Sequence, residues 1–360
     1  MKSSYLTAGM KLGQLLRLLG RNQITASPET LFRLLFLIQS GFWSSFFSMA
    51  ENIRYGAILK KSPLPANPIF IIGHWRTGST FLHQLLSLDP NLAAPTLYQV
   101  ALPDSLLVSY KYYRPVFKML VSEHRPMDNV KLGMDEPQED EYAIFRLTNF
   151  SPLEEIVFPK SGNYFLSNYD DFLPPADQLG DWSAAAAGFY RKLWLKTGKT
   201  IVSKNPFNSR RIPLLAKLFP DSRFIHIGRN PLDVVPSTIH MWDILQKQNA
   251  LNNNYRKPAV PEVVSTLEKM HLAIIRDSKS LNRNRYACLR FEDLENNPQD
   301  GIERLYTSLG LPFTGDYSDK ITRFIKEIGS FQKNDFILGA EDREVIRSGS
   351  SAYREYFNYC

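Results

Sequence analysis

The feature that most constrains the fold is a short apolar segment followed by a loop with two glycines. The apolar run Ile69–Ile72 leads directly into Gly73–Thr80, with the sequence GHWRTGST. An uninterrupted apolar run ending at a glycine is typical of a parallel strand that is buried on both faces. The glycines let the backbone turn sharply, and the start of the following helix attracts an anion. The segment therefore predicts a strand–loop–helix unit that binds a phosphate-like group.

The loop has the spacing of a Walker A loop but differs from it at one position. Ser79 occupies the place of the lysine that reaches the terminal phosphates of a nucleoside triphosphate. In addition, the strand predicted at 223–228 is followed by Arg229 and not by an acidic residue that would hold Mg²⁺. Both differences disfavour an ATPase or a kinase.

Strands and helices are predicted to alternate over most of the chain. Strands are predicted at 69–72, 200–203, 223–228 and 286–291, and helices at 81–88, 184–196, 210–219, 232–246, 262–281 and 301–309. The remainder of 91–199 is interpreted as irregular, since it is aromatic and interrupted by prolines. This alternation predicts an α/β fold with a P-loop-like parallel β-sheet flanked by helices.

A second strand–turn–helix segment lies about 150 residues after the first. Arg229 follows the strand at its carboxyl end, where open α/β sheets bind ligands. Ser237 comes eight residues later, about two helical turns along. The arginine would offer a two-pronged contact to a phosphate and the serine a hydroxyl group. Two phosphate-type sites without a magnesium carboxylate indicate a nucleotide that is phosphorylated at two positions.

These segments together resemble the sulfotransferases that use 3′-phosphoadenosine 5′-phosphosulfate (PAPS), most closely a mainly bacterial branch. The resemblance covers most of 68–337, and beyond the first loop it rests on these segments: DEPQEDE (135–141), SKNP (203–206), FEDL (291–294) and Lys333-Asn334. It implies that the first loop binds the 5′-phosphosulfate and that the second segment binds the 3′-phosphate. The cofactor-binding residues that it implies are Arg76, Thr77, Gly78, Ser79, Thr80, Arg229, Ser237 and Lys333.

Sulfuryl transfer requires cations on the transferring oxygens and a base for the acceptor hydroxyl. Arg76 and Lys204 are the predicted cations. The resemblance does not identify the base, because Pro206 stands where cytosolic relatives have a catalytic histidine. The candidates are the acidic cluster and His124. The acidic cluster consists of Glu139, Asp140 and Glu141, whose proximity would raise their pKa values toward neutrality.

The resemblance and the positions of proline-rich segments predict three regions in the chain. Residues 1–61 form a helical N-terminal region that ends at a proline-rich link, 62–337 the sulfotransferase domain, and 338–360 a C-terminal tail. The insertion 91–199 is expected to form the acceptor side. Because the insertion and the N-terminal region are aromatic and apolar, the expected acceptor is a small hydrophobic or lipid-like alcohol or phenol.

The N-terminal region contains a 17-residue stretch without a charge, Leu34–Ala50. This is the lower limit for spanning a bilayer, and the stretch contains Gln39 and several serines. Two interpretations stay open: a helix lying on an anionic membrane surface, with nearby basic residues at the lipid headgroups, or an amphipathic helix packed on the protein core.

Amino-acid composition limits the ligands, the location and the functions that fit this chain. The net charge is +7, without a basic tail or stripe, which favours an anionic ligand or membrane face over nucleic acid. The two cysteines predict a reducing, cytoplasmic location. Cysteines and histidines lack metal-site spacing, so no metal site is expected. Two other functions stay open: a nucleotide-dependent phosphotransferase with a degenerate Walker loop, and a non-catalytic, membrane-associated nucleotide-binding protein.

Overall fold

The computed structural model describes residues 6–120, 133–148, 150–160, 172–328 and 336–359. The chain folds into two compact units. The first, here called the helical unit, comprises Met1–Leu64, Pro95–Gly198 and Met241–Lys257. The second, the sheet unit, comprises Pro65–Ala94, Lys199–His240 and Pro258–Cys360. The three regions predicted from the sequence, with borders at 61 and 337, stay a prediction.

The secondary structure of the described residues is as follows. The strands are β1 (Ile69–Ile72), β2 (Leu92–Ala93), β3 (Thr200–Lys204), β4 (Arg223–Gly228) and β5 (Tyr286–Arg290). The helices are α1 (Leu12–Gly20), α2 (Pro28–Lys61), α3 (Ser79–Ser87), α4 (Leu97–Ala101), α5 (Tyr110–Leu120), α6 (Glu141–Thr148), α7 (Glu154–Val157), α8 (Leu179–Thr197), α9 (Ile212–Leu218), α10 (Pro231–Asn249), α11 (Val260–Ser278), α12 (Phe291–Asn296), α13 (Pro298–Leu309), α14 (Gly315–Ile328), α15 (Ala340–Gly349) and α16 (Ser351–Phe357). Two short 3₁₀ helices, Pro206–Arg210 and Arg283–Arg285, complete the set.

The sheet unit is built on five parallel strands in the order β2-β3-β1-β4-β5. β1 lies in the middle and is buried along its whole length, as its apolar run predicts. The predicted α/β fold is confirmed, and the four predicted strands lie within one residue of their predicted bounds. The sequence pattern misses β2, since two residues are too few to show a periodicity.

The register of the sheet places three strand ends side by side. Ile71 of β1 pairs with Lys204 in β3 on one side and with Ile225 in β4 on the other. The carboxyl ends of the three strands therefore meet at one edge, which is the binding edge of an open parallel sheet.

Apolar side chains cover both faces of this sheet. One face carries a cluster that includes Ile69 and Ile225 together with buried residues of α3, α12, α13 and α14. On β1, Phe70 points into a second layer and stacks on Phe224, with their ring centroids 5.4 Å apart. Burial on both faces is what fixes the strand–loop–helix connection at the end of β1.

The helical unit contains more helix than the sequence pattern predicts. The predicted helix at 184–196 is confirmed as part of α8, but α4–α7 lie in a region interpreted as irregular. Two features explain why the sequence pattern did not predict these helices. Pro115 lies inside α5, and α4 is only five residues long, held by a capping box between Thr96 and Gln99. Short or proline-containing helices do not show a clear 3.6-residue period.

The N-terminal region is helical, as predicted. The uncharged stretch Leu34–Ala50 lies inside the single 34-residue helix α2. Ser27 caps its first turn by accepting a hydrogen bond from Thr30 N, and Pro28 begins the helix. Within the described part of the chain, no helix is both long enough and apolar enough to cross a membrane.

Candidate functional site

The loop after β1 requires glycine where it enters α3. Gly78 has a φ of +84° and is the N-cap residue of that helix. A Cβ atom at this position would lie 2.0 Å from the Phe291 ring, so both the backbone conformation and the ring exclude a side chain. Since Gly78 supplies no side-chain cap, the first amide groups of α3 are available to an anion.

Arg76 joins the two segments that the sequence predicts as phosphate sites. Its Nε donates a hydrogen bond to the hydroxyl oxygen of Ser237, 2.9 Å away and 161 residues later in the chain. Arg76 adopts a φ of +66°, a left-handed conformation that costs a residue with a Cβ about 1–2 kcal/mol. Such local strain is typical of a functional site, where the surrounding structure holds it in place.

Neighbouring side chains hold the loop in this conformation. The Ser209 hydroxyl accepts a hydrogen bond from Gly73 N, 2.9 Å away, and Thr77 donates to His74 O. The Trp75 ring packs edge-on against Phe207 with a centroid distance of 5.0 Å. The anchoring residues therefore come from the segment after β3 as well as from the loop itself.

The buried histidine of the loop is neutral at physiological pH. Only 2% of His74 is exposed, and this burial lowers its pKa to about 4, against the smaller effect of a hydrogen bond with Trp75 O. His74 thus contributes packing and a hydrogen bond to the loop without adding a charge.

Lys204 lies at the end of β3, beside the strand that leads into the loop. It is 4% exposed. A lysine so strongly buried at the binding edge of a sheet, next to a loop built for an anion, is well placed to balance negative charge. The predicted role of Lys204 as a catalytic cation stays a prediction.

Arg229 follows β4 on the other side of the loop. Its guanidinium carbon lies 4.9 Å from the centroid of Phe291, the same ring that packs on Gly78. One terminal nitrogen is 3.5 Å from Asp233, one helical turn further on. This ion pair is long and reaches an exposed carboxylate, so it contributes little to stability.

Sequence reasoning missed one residue that holds Arg229. The Tyr353 hydroxyl accepts a hydrogen bond from Arg229 N at 2.8 Å and donates one to Arg229 O at 3.0 Å. The next residue, Asn230, donates its backbone N–H to Glu292 at 2.9 Å. Tyr353 belongs to α16, in the segment predicted only as a tail, and no local pattern marks it. Its role follows from the packing of α16 against the end of β4, where the Phe357 ring touches Gly228.

The residues at this edge fit a phosphate or sulfate group. The loop supplies an uncapped helix start, Arg76 and Arg229 supply guanidinium groups, and Ser237 supplies a hydroxyl group. Charge-assisted hydrogen bonds from these groups are the contacts that oxyanions prefer. The sheet unit therefore brings together seven of the eight predicted cofactor residues: Arg76, Thr77, Gly78, Ser79, Thr80, Arg229 and Ser237.

The predicted acidic cluster lies in the helical unit, at the start of α6. Asp140 is buried and accepts a hydrogen bond from the Tyr190 hydroxyl at 2.7 Å, and buried Glu141 accepts one from the Ser151 hydroxyl at 2.6 Å. Glu139 is half-buried. Each buried carboxylate thus has a hydroxyl partner, and the assignment of the base to this cluster stays a prediction.

Two predicted site residues, His124 and Lys333, lie outside the described residues. Among those that are described, no three His, Cys, Asp or Glu side chains come together as a metal ion would require.

The comparisons with known proteins agree on one family. The sequence model of the sulfotransferase family matches residues 68–315. The omega-hydroxy-beta-dihydromenaquinone-9 sulfotransferase Stf3 of Mycobacterium bovis is 30% identical to this chain over 348 residues, which is 95% of this chain and 88% of the relative. The protein of the same name from Mycobacterium tuberculosis strain CDC 1551 matches equally well.

Two crystal structures share the fold. Sulfotransferase STF9 from Mycobacterium avium superposes with a TM-score of 0.69 at 17% identity, covering 92% of this chain and 86% of that one. Sulfotransferase STF1 from Mycobacterium tuberculosis H37Rv gives a TM-score of 0.63 at 18% identity, covering 95% and 91%.

Proposed function

Because the chain belongs to the sulfotransferase family, and is therefore an enzyme, we propose that it transfers a sulfuryl group from PAPS to a hydroxyl group of a lipid-like acceptor. One observation carries the choice of donor: the hydrogen bond between Arg76 and Ser237. It unites the loop predicted to bind the 5′-phosphosulfate with the segment predicted to bind the 3′-phosphate. A nucleotide with phosphates at both positions matches this arrangement.

The choice of acceptor rests on the relative and on composition. The relative that is 30% identical over 95% of this chain carries in its name a hydroxylated menaquinone as its acceptor. The predicted acceptor side, 91–199, is rich in aromatic and apolar residues. Both support a hydrophobic hydroxyl compound over a free sugar.

The reaction assigns a task to each predicted residue. The acceptor oxygen forms a bond to sulfur while the bond from sulfur to the 5′-phosphate oxygen breaks, and adenosine 3′,5′-bisphosphate leaves. Arg76 and Lys204 balance the negative charge on the transferring and bridging oxygens. Arg229 and Ser237 hold the 3′-phosphate and so orient the donor. The acceptor's proton passes to the base, which is one of the acidic-cluster carboxylates or His124.

The proposal also covers location and metal use. It includes a cytoplasmic location, which is expected from the low cysteine content. It also includes contact with an anionic membrane surface. Membrane contact would bring the enzyme to an acceptor that is dissolved in lipid. Transfer is expected to proceed with a chelator present, which separates this function from a magnesium-dependent phosphotransferase.

The donor site is tested by comparing two nucleotides. Adenosine 3′,5′-bisphosphate should stabilise the protein against heat far more than adenosine 5′-monophosphate does. Arg229→Ala should weaken binding of the bisphosphate by about 2–3 kcal/mol, the value of a lost two-pronged contact to a charged group. Arg223→Ala is the matched control, since Arg223 lies at the opposite end of the same strand and donates to Leu309 O. Equal stabilisation by both nucleotides would remove the case for a 3′-phosphate site.

The acceptor is tested by a screen with radiolabelled donor. The panel should contain a quinone lipid with a terminal hydroxyl group, a simple alkyl alcohol, a phenol and a free sugar. Preferred transfer to the lipid supports the proposal, and preferred transfer to the sugar contradicts the assigned acceptor class while leaving the donor site intact.

A further inference from the structure

Helix α2 is amphipathic in the opposite sense to a helix that faces water. A surface helix normally buries its apolar stripe and exposes its polar face. In α2 the buried residues are Arg33, Leu37, Gly41, Ser44 and Glu51, while most of the large apolar side chains between residues 31 and 53 are exposed. The polar groups of this helix are therefore used for attachment to the protein.

Two buried charged residues attach α2 to the rest of the helical unit. Arg33 donates hydrogen bonds to the backbone carbonyl oxygens of residues 248–250, at 3.0–3.2 Å, at the C-terminal end of α10. Glu51 pairs with Lys192 of α8 at 2.6 Å and accepts a hydrogen bond from Leu107 N at 2.7 Å. Since removing one partner of such a buried pair is costly, these contacts fix the rotation of α2 about its axis.

Serine hydroxyls attach the middle of the helix to the segment that contains α1. Gly9 N donates to Ser40 and Leu12 N donates to Ser45, at 3.1 and 2.9 Å. At Gly41 a Cβ atom would lie 3.2 Å from the backbone of Leu12. Apart from Leu37, polar and small residues thus line the inner face of α2.

The outer face of α2 is a continuous apolar stripe. Between residues 31 and 53 the exposed large apolar side chains are 40–76% exposed and recur at helical spacing: Leu31, Phe32, Leu35, Ile38, Phe42, Trp43, Phe46, Met49 and Ile53. The other exposed positions in this interval are the uncharged Gln39 and Asn52. Because a helix rises 1.5 Å per residue, the stripe is about 33 Å long. An exposed apolar surface of this length marks a contact with another apolar phase.

The charged residues near the stripe indicate which apolar phase it contacts. The exposed charged residues of α2 are Glu29 in its first turn and, after the C-terminal end of the stripe, the basic residues Arg54, Lys60 and Lys61. On the neighbouring helix α5, Tyr112 packs on Phe47 with a centroid distance of 5.2 Å, and the residues around it include exposed Lys111 and Arg114. An apolar stripe that contains a tryptophan and ends next to a group of cations is the pattern of a helix lying in an anionic lipid interface.

We propose that α2 lies in the plane of an anionic membrane, with the stripe from Leu31 to Ile53 inserted at the boundary between headgroups and acyl chains. The rotation fixed by Arg33 and Glu51 presents this face without any rearrangement of the helix. The basic residues at its C-terminal end contact the lipid phosphates. This surface specifies the membrane contact that forms part of the proposed function, and it rests on that function in this respect, while its test needs neither donor nor acceptor.

The test is cosedimentation of the full chain with vesicles. Vesicles of phosphatidylcholine mixed with phosphatidylglycerol are compared with vesicles of phosphatidylcholine alone. The triple variant L35Q/F42Q/M49Q should lower the partition coefficient on mixed vesicles by about 100-fold or more, because three apolar side chains no longer enter the lipid. Substitution of Arg54, Lys60 and Lys61 by glutamine should lower it by about fivefold for each charge removed.

A matched control removes apolar surface elsewhere. L179Q/L272Q/I337Q changes three exposed apolar residues that lie outside α2 and should leave the partition coefficient unchanged. An equal loss in this control, or a wild-type chain that ignores both kinds of vesicle, would overturn the proposal. So would a dimer, seen by sedimentation without lipid, that L35Q/F42Q/M49Q converts to monomer.

Activity measurements separate this result from the proposed reaction. Sulfuryl transfer to a water-soluble alcohol, measured without vesicles, should be the same in L35Q/F42Q/M49Q and in the unsubstituted chain. Vesicle binding is measured without donor or acceptor, so a failure of the reaction leaves the vesicle result unaffected. A variant that loses both activities has unfolded, which circular dichroism detects; the single variants Leu35→Gln and Met49→Gln then replace it, each with a smaller loss expected.

Discussion

The most informative single substitution is Tyr353→Phe, because it removes one oxygen atom and keeps the ring. Tyr353 is 1% exposed, and its hydroxyl holds both Arg229 N and Arg229 O. The loss of two neutral hydrogen bonds at about 1 kcal/mol each, with a buried amide left unpaired, should lower the free energy of unfolding by about 2–3 kcal/mol. The phenyl ring still packs against Phe357, so no cavity is added.

The same substitution should weaken binding of adenosine 3′,5′-bisphosphate. In the variant the backbone of Arg229 is no longer fixed before the nucleotide binds. Fixing the backbone of one residue costs about 1–2 kcal/mol, which corresponds to about a 5–30-fold increase in Kd. Binding of adenosine 5′-monophosphate, which lacks the 3′-phosphate, should change by less than about twofold. Calorimetric titration, at a temperature where both proteins are folded, measures both nucleotides.

Tyr356→Phe is the control, since it lies on the same helix but its hydroxyl is 3.3 Å from that of Tyr286 at an exposed position. This variant should keep its stability within about 0.5 kcal/mol and its affinity for both nucleotides. If Tyr353→Phe loses stability but binds the bisphosphate as tightly as before, the tyrosine only supports the fold, and its assignment as a positioning residue is wrong.

Three further predictions concern the predicted cations, the base and pH. Lys204→Met should lower kcat by roughly 10²-fold for phenols and alkyl alcohols alike, the loss expected for a charge contact in the transition state; a loss confined to one acceptor class would argue against it. Glu139, Asp140 and Glu141 are each replaced by the corresponding amide. The variant that loses the base should transfer to alkyl alcohols about 10²–10⁴-fold more slowly, but to an acidic nitrophenol with far less loss, because the nitrophenol is already ionised. If all three variants are fully active, the cluster is structural. Because burial lowers the pKa of His74 to about 4, protonation favours the unfolded chain and stability falls as the pH drops below about 6.5. Between pH 7.5 and 5, the fall in unfolding free energy measured by urea titration should be about 2 kcal/mol smaller in His74→Gln, and an equal fall in both proteins would contradict the assignment.

Features that depend only on neighbouring residues could be predicted from the sequence. The apolar run 69–72 and the glycines after it predict the strand and the loop, because burial and backbone freedom are local properties. In the same way, the eight-residue spacing of Arg229 and Ser237 places both on one strand–turn–helix segment. The alternation of such segments was enough to predict the parallel sheet.

Contacts between residues far apart in the chain could not be predicted, because they depend on how the strands and helices pack. The hydrogen bond from Arg76 to Ser237 joins residues 161 positions apart, and it exists because β1 and β4 are neighbours in the sheet. The role of Tyr353 likewise depends on where α16 packs, which no local pattern encodes.

Helix α2 shows the same limit at the surface. Its uncharged stretch was visible in the sequence, and two interpretations stayed open: a helix packed on the core or a helix at a membrane. Apolar content alone cannot distinguish them, because the direction in which a helix face points is set by its partners. Here Arg33 and Glu51 bind inward, and the apolar stripe is left on the outside.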